Sequence, residues 1–173
     1  MPTPRTTPTI VTDRLRLLPL RTDDAEEMAA ALSDAALYEF IGGAPPTPGE
    51  LRELYARWIG GPPRADEGWL NWAIRLVEDG TLVGHVQATV LSDGAQADVA
   101  WILGSPWQGR GYASEAAIAM IRWLESEGVQ AITAHVHPRH AASARVAERA
   151  GLEATGEIEG GEVIWRRATT PEP

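Results

Sequence analysis

Gln108-Gly109-Arg110-Gly111-Tyr112-Ala113 is the stretch of the 173-residue chain whose residue types speak most directly of chemistry. It is a glycine-rich turn that a strand pattern enters and a helix pattern leaves. A helix starting directly from such a turn leaves its first amides unpaired and aimed at one point, where an anion binds. Gly109 and Gly111 let the backbone come close to that anion and tolerate positive φ, while Arg110 adds a fixed charge. Pyrophosphate is the natural occupant. Gly-x-Gly spacing alone leaves dinucleotide, phosphate and coenzyme binding open. His135, His137 and His140 raise a second possibility, because His-x-His puts two imidazoles on one strand face. A metal centre there needs a third ligand and usually a carboxylate. No metal is expected, and a histidine metal module is kept as an alternative. His85, with Val83 and Gln87 taken as its neighbours on the strand face, reads as structural.

The elements that must position these groups follow from hydrophobic period and local signals. Leu15 to Leu18 reads as a first strand ending at Pro19, which cannot donate a ladder hydrogen bond. Thr22 to Asp34 reads as a helix with Asp23, Asp24, Glu26 and Glu27 in its first turn. Thr47-Pro48-Gly49-Glu50 is a capping box with Pro at the first helical position, and Leu51, Leu54, Tyr55, Trp58 and Ile59 are expected on one face of the helix it opens. From Trp69 the period becomes two, and Asp79-Gly80 and Asp93-Gly94 divide Trp69–Val77, Leu82–Leu91 and Ala97–Leu103 into three antiparallel strands. After the glycine-rich turn come a helix that Gly128 stops, a strand over Ala131–Val136, a helix over Ala141–Ala150 and two closing strands near Leu152–Ile158 and Glu162–Arg167. The order is β-α-α-β-β-β-α-β-α-β-β. Residues 1–9 and 169–173 read as tails flanking one domain over residues 10–168.

A dinucleotide site would place the turn after the first strand of a parallel βαβ unit, with an acidic residue about 20 positions on. Here the turn follows an antiparallel meander in mid-chain. In that context it resembles the pyrophosphate motif of the GNAT (Gcn5-related) N-acetyltransferases, Gln/Arg-x-x-Gly-x-Gly/Ala, which residues 108–113 match at every fixed position. Thr12-Asp13-Arg14-Leu15-Arg16-Leu17, the segment His137-Pro138-Arg139-His140-Ala141-Ala142-Ser143 and Ala150-Gly151-Leu152 extend the likeness over nearly the whole ordered chain. Within the family it looks most like the branch that acetylates ribosomal-protein N-termini. The resemblance implies an α/β (α+β) fold with a mixed, mostly antiparallel sheet of about seven strands and about four helices. It also implies acetyl-CoA as co-substrate and an amine, in a small molecule or at a protein N-terminus, as acceptor.

Acetyl transfer from a thioester to an amine needs a neutral nitrogen, a stabilised oxyanion and a proton for the departing thiolate. By resemblance, the strand ending at Leu103 splays from its neighbour, so that backbone groups of Trp101, Ile102 and Leu103 meet the pantetheine arm and the thioester oxygen. The turn residues 108–113, with Ser114, hold the pyrophosphate. Asp98, on the strand face shared with Ala100 and Ile102, is the candidate general base; the alternative is a solvated strand carboxylate. Many members of the family protonate the thiolate with a tyrosine seven residues after an asparagine that holds the cofactor. Those places here are Ala147 and His140, so Ser143, a serine shared with the ribosomal-protein branch, is the candidate donor to sulfur. These departures keep a second function open, a catalytically silent acetyl-CoA sensor or partner domain. By resemblance, the loop between the first two helices shapes the acceptor pocket, so Tyr38 and Phe40, in the stretch Tyr38 to Ala44 where Gly42-Gly43 supply mobility, are candidates to line it, with Trp69 and Trp72 of the following strand. Trp58, Trp101 and Trp123 fall at apolar-period positions and read as core.

Composition narrows the remaining possibilities. The net charge of -9 argues against a nucleic-acid partner, which would call for clustered basic residues. All 15 basic residues are arginine, which excludes a Walker-type phosphate loop and a lysine Schiff base. Without cysteine there are no disulfides or thiolate sites. The lack of a long apolar run points away from membranes, and a cytoplasmic monomer or homodimer is expected.

Overall fold

Alternation at a period of two gives each strand one face to bury, and the strands take their positions from it. The structure is a computed structural model and describes residues 6–91 and 93–168. Its strands are β1 (Ile10–Val11), β2 (Leu15–Pro19), β3 (Gly68–Leu76), β4 (Leu82–Val90), β5 (Gln96–Leu103), β6 (Ala131–Val136), β7 (Glu153–Glu159) and β8 (Glu162–Ala168). They make one sheet in the order β1-β2-β3-β4-β5-β6-β8-β7. Among the described residues only β5 and β6 run parallel; every other neighbouring pair is antiparallel. The mixed, mostly antiparallel sheet agrees with expectation, while its eight strands exceed the expected seven by the two-residue β1. The tail expected over residues 169–173 lies outside the described residues. At the other end, the indole of Trp72 donates to the Pro8 carbonyl at 2.7 Å, which fixes the chain before Ile10.

The helices are α1 (Ala25–Ala31), α2 (Pro48–Gly60), α3 (Tyr112–Ser126) and α4 (Ala141–Arg149). α3 and α4 cover one face of the sheet, where Met120, Ile121, Leu124 and Ala147 pack on Leu15, Leu17, Leu70, Trp72 and Ile74. α1 and α2 cover the other, with Met28, Leu51 and Tyr55 against Ala73 and Leu82. The helix expected over residues 22–34 is shorter. A 3-10 turn, Thr22–Asp24, precedes α1, and a second one, Ala35–Tyr38, follows it. The Asp34 carboxylate accepts from the Ala36 amide at 2.9 Å, and this local bond starts a new turn in place of continuing the old helix. The Thr47/Glu50 capping box of α2 forms as expected. Its last turn overhangs the sheet, leaving Ile59 56% exposed and outside the apolar face. Among the described residues no helix is long and apolar enough to cross a membrane.

A β-bulge changes one assignment. Ile74 pairs with Gly84 but Arg75 with Leu82, so Val83 is the extra residue. Val83 therefore faces the α3 side, and His85, which was expected to share its face, points toward α2. A Cβ at Gly84 would collide with the Ile102 carbonyl, so the bulge needs glycine there. The His85 ring meets Trp58 edge-on at 5.8 Å, and its buried Nδ1 has no hydrogen-bond partner among the described residues.

Burial lowers the pKa of His85 from 6.5 to about 4, so the folded state holds a neutral ring that the unfolded chain would protonate. Its contribution to stability is complete above pH 6.5 and is lost as pH falls toward 4. Comparing thermal unfolding of the wild type and His85→Phe across this range should show the wild-type midpoint falling more steeply. Parallel curves would refute this role.

Candidate active site

The site begins where β5 and β6 stop pairing. Their register runs from Gln96–Ala131 to Val99–Ala134 and then ends, while β5 stays paired to β4 as far as Leu103. The bonds Leu91 N to Gln96 O at 2.9 Å and Gly104 N to Val83 O at 2.8 Å set the phase of the β4–β5 ladder. Even-numbered β5 residues turn their backbone groups to β4, and odd-numbered ones turn theirs toward β6. Past Val99, Trp101 and Leu103 thus point backbone polar groups into a gap inside the sheet. The Gln108 side-chain amide takes the Leu103 carbonyl at 3.0 Å. The N–H of Leu103 and both backbone groups of Trp101 remain directed into the opening.

At the end of β5 the glycine-rich turn enters α3. Gly109 and Gly111 have φ of 78° and 81°, and Gly111 is the N-cap, so the positive φ expected of both is present. The turn is held by residues 95 or more positions earlier in the chain. Arg14 donates from Nε to Glu115 Oε2 at 2.7 Å and from Nη1 to the Arg110 carbonyl at 2.9 Å, and its guanidinium lies 4.4 Å from the Tyr112 ring centre. Thr12 Oγ1 and the Arg14 amide both donate to Glu115 Oε1. The hydrogen bonds and charge from Thr12 and Arg14 hold the Glu115 carboxyl below its ordinary pKa although partial burial opposes them. The pairing of Arg14 with Glu115 is not legible in the sequence, because a brace between residues 101 apart leaves no local signal.

Two cavities meet at the gap. The one on the turn side, about 480 Å³, is lined by Gln108, Gly109, Gly111, Tyr112, Ala113, Ser114, Ile102, Leu103, Arg145 and Arg149, among others. Arg145 and Arg149 lie one turn apart on α4 and bring positive charge to a protein of net charge -9. The second, about 320 Å³, holds Asp98, Gln87, Thr89, Ala100, His135, His137 and Glu162 and is lined by no arginine. Phe40, Ile41, Trp101, His140 and Ser143 line both, so the two are joined at the level of the open strand edge.

Asp98 sits between Thr89 of β4 and Thr133 of β6. Burial raises its pKa, against the pull of His135 and with smaller raising contributions from Glu159 and Glu67. Ser143 Oγ accepts from the Trp101 indole at 3.1 Å, so the Trp101 side chain belongs to the site as well as packing on the core. The ring of Phe40 stacks on His140 at 4.7 Å and tilts against His137 at 4.9 Å. Burial, then the neighbouring His137, lowers the pKa of His140. His137 Nδ1 accepts the Arg139 amide, and no group of three or more metal-ligating side chains assembles among the described residues. Of the four expected pocket aromatics, Phe40 lines both of these cavities and the other three line neither. Trp72 is fully buried in the core, Tyr38 bonds the Leu32 carbonyl at 2.9 Å, and Trp69 borders neither cavity. Arg110 is exposed and lines neither cavity, and Gln108 braces Leu103 with its amide nitrogen.

Comparison with known proteins bears on the family and the fold. The family model of the acetyltransferase (GNAT) domain matches residues 14–153. A GNAT-family acetyltransferase from Bacillus anthracis superimposes with TM-score 0.78 at 23% identity, over 93% of this chain and 98% of that one. The ribosomal-protein-S5-alanine acetyltransferase of Vibrio fischeri gives TM-score 0.79 at 15% identity, over 96% and 100%. AAC(6')-Ib, in complex with parmomycin and acetyl-CoA, gives TM-score 0.74 at 21% identity, over 90% and 94%. These solved structures share the fold. No curated protein matches the chain.

The brace from Arg14 predicts an effect on anion binding. Glu115→Gln removes the charge that orients Arg14 and loosens the turn, so affinity for coenzyme A measured by calorimetry should fall about tenfold, the effect of roughly 1.4 kcal/mol. An unchanged dissociation constant in the folded variant would show that the brace does not set the turn.

Proposed function

The chain belongs to the GNAT acetyltransferase family, whose model spans residues 14–153, and on that premise we propose that it moves the acetyl group of acetyl-CoA to a primary amine by direct attack. The observation that carries this reading is the junction of the two cavities at the open edge of β5, with the glycine-rich turn beyond one end and Asp98 beyond the other. In this reading the amides around the turn, with Arg145 and Arg149 on the cavity wall, take the pyrophosphate. The backbone of Trp101 and Leu103 holds the pantetheine arm as an added strand would, and an N–H in the gap faces the developing oxyanion. One such preorganised donor is worth about 10²–10³ in rate.

The amine enters from the second cavity, whose carboxylates Asp98 and Glu162 suit an incoming ammonium. Asp98 accepts a proton, directly or through water, leaving the nitrogen lone pair free to attack. Ser143 hydrogen-bonds the departing sulfur in place of the absent tyrosine. His140, whose ring burial and then His137 push toward the neutral form, keeps one N–H to offer the coenzyme and stacks beneath Phe40 at the junction. The acceptor is a protein N-terminus or a small-molecule amine. AAC(6')-Ib, a structural relative, is held with the aminoglycoside parmomycin, and another relative is named for acetylating ribosomal protein S5.

Thiol release from acetyl-CoA across a panel of amines, including peptides with N-terminal alanine or serine, should find a substrate. Asp98→Asn should then cut kcat/KM about a hundredfold or more. Because the base works deprotonated and burial raises its pKa, the wild-type acid limb should lie higher than that of an ordinary aspartate and vanish in the variant. Thermal stabilisation by acetyl-CoA with no turnover on any amine would point to the silent binding domain, and retained activity in Asp98→Asn would remove it as base.

A further inference from the structure

Ser143 is the third residue of α4, where a serine hydroxyl ordinarily bonds backbone of its own first turn. Its oxygen is engaged elsewhere: it accepts from the indole Nε1 of Trp101 at 3.1 Å, across 42 positions of sequence and across the gap between β5 and β6. An indole nitrogen can only donate. The polarity of the contact is therefore fixed, with Ser143 Oγ as acceptor and its own proton turned away from Trp101. Among the described residues no acceptor takes that proton. Ser143 lines both cavities, so the opening where they join is the direction left to its O–H.

We infer that Trp101 is a positioning residue that holds the Ser143 hydroxyl with its proton directed at the thioester sulfur. This rests on the role given to Ser143 above. The indole is itself held firmly, on a strand paired through Val86 and packed against the core. Its N–H acts in two ways: it restricts the rotation of the hydroxyl, and by drawing charge from Oγ it makes the O–H a stronger donor. Asp98 first passes the proton it took from the ammonium to solvent; in the transfer, the amine lone pair then forms the C–N bond and the second amine proton passes to Asp98. The C–S bond breaks with its electron pair on sulfur. Ser143 donates a hydrogen bond to this thiolate and keeps its proton; the thiolate is protonated by solvent after release.

Trp101→Phe retains the ring packing and deletes the N–H. In the full chain it should lower kcat about fivefold to tenfold while leaving the KM for acetyl-CoA within about twofold. Titrating the thiol of bound coenzyme A by its ultraviolet thiolate absorbance supplies a readout that packing alone would not move. The bound thiol should become less acidic in Trp101→Phe and in Ser143→Ala, with no further change in the double variant. If Ser143→Ala shifts kcat and the thiol titration but Trp101→Phe shifts neither, the role of Trp101 falls and that of Ser143 stands. If neither variant shifts either quantity, both fall. Should Trp101→Phe fail to fold, benzothienylalanine at position 101, with sulfur in place of N–H in the same ring shape, carries the same expectations.

Discussion

Two parallel strands pair over four residues each and then separate, and the architecture around the site answers to that separation. A sheet interior normally satisfies every backbone group through its ladder, and polar groups left facing apolar surroundings are costly. Past Val99 the odd-numbered residues of β5 have lost β6 as a partner. Gln108 takes the Leu103 carbonyl with its side chain, and the groups still open line a cavity large enough for a ligand. The opening connects the two faces of the sheet, and therefore the helix pair α3/α4 with the helix pair α1/α2. A hydrogen bond from Trp101 to Ser143 spans it, and Phe40 stacked on His140 closes one side.

The two cavities that meet at this opening differ in the charge of their walls. Arginines 145 and 149 border the cavity beside the glycine-rich turn, and carboxylates border the other. With 24 acidic residues against 15 basic ones, the acidic end needs no special arrangement, whereas the basic end depends on placing arginines one helical turn apart on α4. Arg14 has a different task. It stands outside both cavities and fixes the turn from behind, through Glu115, the Arg110 carbonyl and the Tyr112 ring.

Much of the framework was legible in sequence because its causes are local. The capping box at Thr47, the Asp-Gly turn at residues 79–80 and the alternation from Trp69 onward act over a few residues and were read correctly. The misreadings came from contacts at long range or from geometry that period cannot express. Val83 left the face of His85 because of a one-residue bulge, and Trp72 looked like a pocket aromatic until burial put it at 0% exposure in the core. Tyr38 and Phe40 are two residues apart in one loop, yet the first bonds Leu32 and the second reaches the cavities.

By itself the sequence determined the family, the order of the main elements and the glycine-rich turn, since positive-φ glycines ahead of a helix are a property of the local chain. It also named Asp98 and Ser143 as candidates. Which residues share the site with them was decided only by the tertiary structure. Burial and then His135 act on Asp98, Trp101 reaches Ser143, and Arg14 locks the turn. Each of these is a relation between side chains brought together by the sheet order, and hydrogen bonds and desolvation depend on distances that no spacing along the chain encodes.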